Sequence, residues 1–212
     1  MSTSGSDGAL GGDDLFGDRL FNALEKRHPD PGVLLVSAPD MPDSNFARTI
    51  IYLVEHDVMG SLGVVLTRRS EMAVTNILPA WAPLMSPPEA FYIGGPVKPD
   101  TGIALAVLKK GVDPKKFDFV QPIEGRVCVV DLDGDPDEIA EHVDGMRVFV
   151  GYAGWSPGQL DDELDRGDWY VAHSLPEDLI APAWHDVWAG VLARQEMPLP
   201  IYSTFVFDGS VN

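Results

Sequence analysis

The chain has 212 residues, of which 45% are hydrophobic, so it is long enough to form one domain with a substantial core. With 15 Lys and Arg against 33 Asp and Glu, its formal net charge of −18 opposes binding to nucleic-acid phosphates and to anionic membrane surfaces. The single cysteine, Cys128, excludes an intrachain disulfide and fits a cytoplasmic protein, and no apolar run approaches the roughly 20 residues that a membrane-spanning helix needs.

The first 27 residues contain a predicted tail and a predicted helix. Residues 1–14 carry no basic residue and no apolar stretch, which predicts a disordered acidic tail and excludes a secretory signal. Residues 15–27 place four apolar side chains on one face of a helix, namely Phe16, Leu20, Phe21 and Leu24. The two prolines of segment 28–31 end this helix, because proline disfavours helical geometry in the residue before it.

Eight β-branched runs, separated by glycine, proline and aspartate, predict strands in the middle of the chain. They cover residues 33–39, 49–56, 62–69, 90–96, 101–109, 117–123, 126–132 and 147–154. Short turns such as Asp57-Val58-Met59-Gly60 favour hairpins over helical crossovers. We therefore predict a mixed, largely antiparallel sheet.

Two further helices are predicted in the second half of the chain. Asp135 as a cap, with Pro136 at the first helical position, predicts a short helix that runs toward Val143. Residues 183–196 predict an amphipathic C-terminal helix whose apolar face packs in the core through Trp184, Val187, Trp188, Val191 and Leu192. The chain is thus predicted to form one α/β domain over residues 15–205, followed by a C-terminal tail at 206–212.

The segment Gly154-x-Ser156-x-Gly158 has the spacing of a hydrolase nucleophile elbow and follows a predicted strand. In such an enzyme the backbone N–H of the residue after the nucleophile belongs to the oxyanion hole, but Pro157 has no N–H. We therefore interpret Ser156 as the N-cap of a helix, with Pro157 at its first position and Gln159 closing a capping box.

The sequence predicts no metal ion and no cofactor. Segment 131–142 begins with the alternating aspartates of a calcium loop, but Pro136 replaces the required glycine and His142 replaces the bidentate glutamate. The five histidines lack zinc spacing, and neither a Walker-type phosphate loop nor a Gly-x-Gly-x-x-Gly element is present.

Four segments between residues 32 and 172 together resemble the bacterial YqgE/AlgH family. They are GVLLVSAPDMPDSNFARTIIYLVEH, GSLGVVLT, YIGGPV and GYAGWSPGQLDDEL, in that order. The resemblance implies a single α/β domain with a bifurcated sheet folded toward a pseudo-barrel and flanked by helices. It also implies a cytosolic bacterial protein of a family without an established biochemical activity, whose members are sometimes labelled transcriptional regulators.

The chain departs from the family pattern at two internal positions and at its end. Thr67 stands where an asparagine is usual, and Ala106 stands where a histidine is usual, so the resemblance implies no site in this chain that uses this histidine. Residues 197–212 extend past the ordinary end of the family.

The candidate binding residues lie in the resembling segments. The glycines of GGPV (residues 94–97) and GYAGW (residues 151–155) permit backbone geometries closed to other residues, and both loops follow predicted strands. The two loops either border a common cleft or only shape the fold as tight turns. Arg48 is expected to pair with Asp43 or to bind a ligand carboxylate. The complete set of candidates is Arg48, His56, Gly94, Gly95, Pro96, Gly151, Gly154, Trp155, Gln159 and Glu163.

Three functional hypotheses follow. The first is a protein that binds a protein partner or a small molecule through the cleft bordered by GGPV and GYAGW, and that affects transcription, if at all, indirectly. The second is an enzyme that uses His56 as acid or base, since Glu55 and Asp57 flank it at a strand end; a solvated or core-capping histidine is the alternative. The third is a regulatory or assembly module whose acidic surface docks a basic partner.

Overall fold

The structure is a computed structural model that describes residues 27–39, 41, 43, 45–182, 185–197 and 199–204. The predicted acidic tail, the predicted N-terminal helix up to residue 26 and the C-terminal tail at 206–212 lie outside the described residues. None of the helices in the described ranges is both long enough and apolar enough to span a membrane.

The described residues form ten β-strands and five short α-helices. The strands are β1 (Leu34–Ser37), β2 (Ile50–Asp57), β3 (Gly60–Val65), β4 (Arg69–Ala73), β5 (Ala90–Ile93), β6 (Val97–Leu108), β7 (Val120–Glu124), β8 (Val127–Val130), β9 (Val143–Trp155) and β10 (Trp169–Ala172). The α-helices are α1 (Pro136–Ile139), α2 (Gln159–Arg166), α3 (Pro176–Leu179), α4 (Val187–Ala193) and α5 (Leu199–Tyr202).

The ten strands belong to one sheet that forks along β9. The main path has the order β10-β1-β2-β3-β9-β6-β8-β7. The end of β9, from Ala153 to Trp155, pairs with β3, whereas Phe149 and Val150 pair with β5, which in turn pairs with β4. Apart from the parallel β5–β9 pair, every strand pairing is antiparallel. This single domain, whose sheet curls into a half-barrel with helices, confirms the predicted fold class.

Side chains that alternate along the strands bury both faces of the sheet. In β1, Leu34 and Val36 pack in a cluster with α4, whereas Leu35 lies in a second cluster with Leu160 of α2. A third cluster lies around β6, β8 and the first half of β9 and contains Met146. Burial of this apolar surface is the main favourable contribution to folding.

Two strands were not predicted, and two are longer than predicted. Neither β4 (RSEMA) nor β10 (WYVA) contains a long β-branched run, and β4 is only partly buried. β6 begins four residues before its prediction, and so does β9. The reason is that ladder pairing uses backbone N–H and C=O groups, so polar residues such as Asp144 can extend a strand beside a long partner.

The two later helices test the predicted helix boundaries. The Asp135 carboxylate accepts the Asp137 N–H over 2.9 Å, which confirms the predicted cap of α1. The predicted start of the C-terminal helix at residue 183 is wrong, because Asp186 caps α4 by accepting the Ala189 N–H over 3.0 Å. The apolar face of α4 is buried as predicted, at Val187, Trp188, Val191 and Leu192, whereas Trp184 lies outside the described residues.

Candidate functional site

The turn after β9 begins differently from the predicted helix cap. Helix α2 starts at Gln159, and Gly158 before it has φ 75° and ψ −10°, the angles of the third residue of a type II turn. The Gln159 N–H donates to the Ser156 carbonyl over 3.0 Å and closes that turn. Ser156 is therefore not the N-cap, because the left-handed Gly158 interrupts the helical path. One arm of the predicted capping box is confirmed, since Gln159 Oε1 accepts the Ser156 N–H over 3.0 Å.

We expect Ser156→Ala to change the free energy of unfolding by less than about 0.5 kcal/mol, because the Ser156 hydroxyl caps no helix. The matched variant Gln159→Ala removes the hydrogen bonds of the Gln159 side chain and is expected to cost about 1 kcal/mol. Urea denaturation of both variants measures the difference. A larger loss for Ser156→Ala than for Gln159→Ala would contradict this description of the turn.

The Glu163 carboxylate accepts hydrogen bonds from side chains of the GYAGW segment, α2 and β10. Trp155 Nε1 and Trp169 Nε1 each donate to Glu163 Oε2 over 2.8 Å. Gln159 Nε2 donates to Glu163 Oε1 over 2.9 Å. Three of the candidate binding residues, Trp155, Gln159 and Glu163, are thus brought together, but they bind one another. Their network fixes α2 against the sheet and leaves little of this carboxylate for a ligand.

The GGPV and GYAGW segments lie against each other, backbone to backbone. The Gly94 N–H donates to the Val150 carbonyl over 2.9 Å. A Cβ atom on Gly94 would lie 2.3 Å from the Gly151 carbonyl oxygen, and one on Gly95 would lie 2.1 Å from the Tyr152 carbonyl carbon. The glycines therefore permit close packing of two chain segments, and no ligand fits between them. Pro96 is exposed where the chain turns into β6.

An open cleft does lie beside these segments, on the side of the β2–β3 hairpin. Its volume is about 540 Å³, and Val97 of GGPV together with Tyr152, Gly154 and Trp155 forms one wall. The other wall comes from residues of the hairpin, including Glu55, Asp57 and Met59. We call this space the hairpin cleft.

His56 lies in the β2–β3 hairpin and contacts a hydroxyl group. His56 Nδ1 and Ser61 Oγ are 2.7 Å apart across the hairpin, and the His28 ring packs edge-on at 5.9 Å between centroids. A serine beside an imidazole is one part of a nucleophile and base pair, but such a base also needs a group that orients it. Within the described ranges no carboxylate oxygen lies within 4.0 Å of the His56 ring nitrogens, so its acidic neighbours in sequence do not supply that group.

Arg48 pairs with Asp186 and not with Asp43. Its Nη2 donates to Asp186 Oδ2 over 2.8 Å, and its guanidinium lies 4.4 Å from the centroid of the Trp188 ring. Asp43 instead accepts the Asn45 N–H over 2.8 Å. Arg48 also has a positive φ of 51°, which is uncommon outside glycine and requires support from the surrounding structure.

Arg48 and Asp186 form part of a second cavity, which we call the arginine cavity. It has a volume of about 600 Å³, and its lining includes Arg48, Thr67, Arg69, Tyr92, His185 and Asp186. Thr67, one of the departures from the family pattern, therefore lies at a concave surface, whereas Ala106, the other, is fully buried in β6. Sequence reasoning missed this cavity because its residues come from four separate segments of the chain.

A buried arginine, Arg147, lies directly behind the wall of the arginine cavity. It is only 2% exposed, and its guanidinium lies 4.2 Å from the centroid of the Tyr92 ring. Arg147 Nε donates to the Leu179 carbonyl over 2.7 Å, and Nη2 donates to the Ala181 carbonyl. Burial lowers the pKa of Arg147 from its usual value, since desolvation disfavours the charged form. The only sequence signal is that Arg147 stands two residues before the buried Phe149 in the strand segment RVFV, so both side chains lie on the same face of the strand.

Cys128 is not available as a nucleophile. The thiol is 1% exposed, and its Sγ lies 3.6 Å from the Ala106 carbonyl oxygen. Burial raises the pKa of Cys128 to about 12, so the reactive thiolate is not formed near neutral pH.

This protein belongs to the class of single-domain α/β folds with a half-barrel sheet. Its forked, largely antiparallel sheet carries the two clefts and the Trp155–Glu163–Trp169 network described above. Comparison with known families gives a more specific assignment. Residues 34–200 match the family described as AlgH-like, DUF179. The chain belongs to this family, which confirms the resemblance found in the sequence.

Individual relatives support the same placement. A UPF0301 protein of Corynebacterium efficiens is 48% identical over 199 residues, which cover 94% of this chain and 99% of the relative. A crystal structure of a protein from Corynebacterium diphtheriae superposes with a TM-score of 0.87 and 46% identity, covering 90% of this chain and 100% of that chain. The solution structure of AlgH from Pseudomonas aeruginosa has a TM-score of 0.61 and 26% identity, covering 86% and 98%.

Proposed function

We propose that this protein acts in the cytoplasm by binding a basic protein partner through the hairpin cleft, and that any influence on transcription passes through this partner. The proposal is supported by one observation above all: the tip of the β2–β3 hairpin exposes two apolar side chains beside the cleft. Val58 is 89% exposed and Met59 is 76% exposed. Adjacent apolar residues at a cleft rim are typical of protein contacts.

The fold does not require apolar residues at this tip. Asp57 pairs with Gly60, and the Asp57 carboxylate accepts the Met59 N–H over 2.7 Å, so the turn is stabilised without the side chains of Val58 and Met59. Polar residues would keep the same turn and avoid exposing apolar surface to water. We therefore attribute Val58 and Met59 to contact with a partner.

The charge of the cleft indicates the chemistry of that partner. Glu55 and Asp57 line the cleft and are exposed, and no lysine or arginine is among the lining residues. The whole chain carries −18, so a cationic protein is attracted over long distances, whereas nucleic-acid phosphates are repelled. A lysine- or arginine-bearing segment with one apolar anchor complements this surface.

Site-specific photo-crosslinking in living cells tests the proposal. A photoreactive phenylalanine derivative at position 59 is expected to capture one predominant protein, whereas the same group at Ile77, which is 58% exposed on another part of the chain, captures none. The purified complex is expected to weaken at least about tenfold in the double variant Val58→Ser, Met59→Ser, and to weaken further as NaCl is added. A complex that the double variant leaves unchanged, or a position-59 product no stronger than that from position 77, would show that the tip is not an interface.

A further inference from the structure

The arginine cavity differs in charge from the rest of this acidic protein. Its lining contains Arg48, Arg69 and His185 but a single carboxylate, that of Asp186. By contrast, the hairpin cleft is lined by Glu55 and Asp57 without any basic residue, and a third cavity of about 390 Å³ is lined by three aspartates without any basic residue. A positive concave surface in a chain of net charge −18 is a local exception that needs a physical explanation.

The single carboxylate is already used within the protein. Asp186 Oδ2 accepts the hydrogen bond from Arg48, and Asp186 Oδ1 accepts the Ala189 N–H at the start of α4. It therefore balances the charge of Arg48 alone. Arg69 is exposed at the cavity and has no ion-pair partner in the part of the chain that the structure describes.

Arg147 adds a second charge that has no counterion among the residues that the structure describes. Its partners are the carbonyl groups of Pro87, Leu179 and Ala181 and the face of the Tyr92 ring, none of which is ionised as a carboxylate is. Its Nη1 is buried and has no hydrogen-bond partner among the described residues. Since Tyr92 and Ala181 also line the cavity, this charge lies just behind the wall. Buried charges are normally paired, and a negative group in the cavity would supply the missing charge.

The remaining lining suits a small organic molecule. Arg48 is held in place by its ion pair and by the Trp188 ring, so its guanidinium is positioned before any ligand arrives. Leu66, Tyr92 and Val187 supply apolar surface, and the Thr67 hydroxyl is buried at the wall without a hydrogen-bond partner in the described ranges. A volume of about 600 Å³ lies within the usual range for small-molecule sites, roughly 300–1,000 Å³.

We propose that the arginine cavity binds a small organic anion. Its carboxylate or phosphate group lies between Arg48 and Arg69, where guanidinium groups form charge-assisted hydrogen bonds, and its apolar part lies against Leu66 and Tyr92. This site is separate from the hairpin cleft, so the protein has one surface for a partner and another for a small-molecule ligand.

An NMR titration of the full chain tests this site with four probes: benzoate, phenyl phosphate, inorganic phosphate and the neutral benzamide. We expect saturable shifts of the Thr67 and Tyr92 amide signals with benzoate or phenyl phosphate, and weaker binding of inorganic phosphate, which has no apolar part. The tighter of the first two probes identifies whether the site prefers a carboxylate or a phosphate group. Benzamide is expected to bind at least about tenfold more weakly than the tighter anion, because it lacks the charge.

The matched variants Arg69→Gln and Lys110→Gln each remove one exposed positive charge, the second away from the cavity lining. We expect Arg69→Gln to weaken anion binding about tenfold and Lys110→Gln to leave it unchanged. Thermal denaturation first verifies that both variants are folded. Three results would each overturn the proposal: no saturable shift with either organic anion, equal affinity for benzamide, or equal affinity in the two variants. None of these results depends on a protein partner, so they leave the proposal for the hairpin cleft to its own test.

Discussion

Replacing Gly151 with alanine is expected to lower the free energy of unfolding by about 3 kcal/mol, counting both overpacking and backbone strain. Gly151 has φ 69°, and a Cβ atom there would lie 2.5 Å from the Gly95 carbonyl oxygen and 3.0 Å from the Val97 carbonyl oxygen. Both neighbours are backbone atoms of a paired segment, so neither can move aside as a flexible side chain would. Urea denaturation followed by tryptophan fluorescence measures the loss.

Two other glycines separate the cost of overpacking from the cost of backbone strain. Gly111 has φ 85° but nothing within 4 Å of its virtual Cβ, so Gly111→Ala reports backbone strain alone and is expected to cost about 1 kcal/mol. Gly102 lies in β6, and its virtual Cβ is 3.8 Å from the nearest atom, so Gly102→Ala is expected to change stability by about 0.5 kcal/mol or less. If Gly151→Ala cost no more than Gly111→Ala, the close packing of GGPV on GYAGW would be refuted.

Replacing Glu163 with alanine is also expected to cost about 3 kcal/mol, since each buried donor that loses its acceptor costs about 1–3 kcal/mol. The indole N–H groups of Trp155 and Trp169 both donate to Glu163 Oε2, and the two residues are 7% and 4% exposed. Without the carboxylate, both donors stay in the apolar contact between α2 and the sheet. Denaturation curves give the loss, and the near-ultraviolet circular dichroism of the two rings, which lie edge to face at 6.2 Å, should change with it.

The control for Glu163→Ala comes from the same helix. Asp162 is exposed in the first turn of α2, and Asp162→Ala removes an equal charge but no indole acceptor. It is expected to cost less than about 1 kcal/mol, the usual contribution of an acidic residue near a helix N-terminus. Equal losses for the two variants would mean that charge near α2, and not the indole network, explains the effect.

The positions of most strands could be predicted from the sequence because each strand carries its own pattern. The apolar run of β1, which is buried on both faces, and the turn residues of the β2–β3 hairpin are local properties, visible within about ten residues. Boundaries that depend on backbone geometry were harder to predict. The helix after β9 was placed too early because Ser156-Pro157-Gly158 suits both a helix N-terminus and a type II turn, and only the structure shows the turn, with Gly158 left-handed. The start of α4 was misplaced because its apolar periodicity continues before the Asp186 cap.

The sequence by itself determined the class of the sheet, its hairpins, the buried faces of its elements and, through four motifs, the family. Only the tertiary structure decided which distant side chains meet. Arg48 contacts Asp186 across 138 positions, and Arg147 meets carbonyl groups of two other segments. These contacts follow from the fork along β9 and from the packing of α4 on the sheet. Periodicity reports which face of an element is buried, but it carries no information about which other element covers that face.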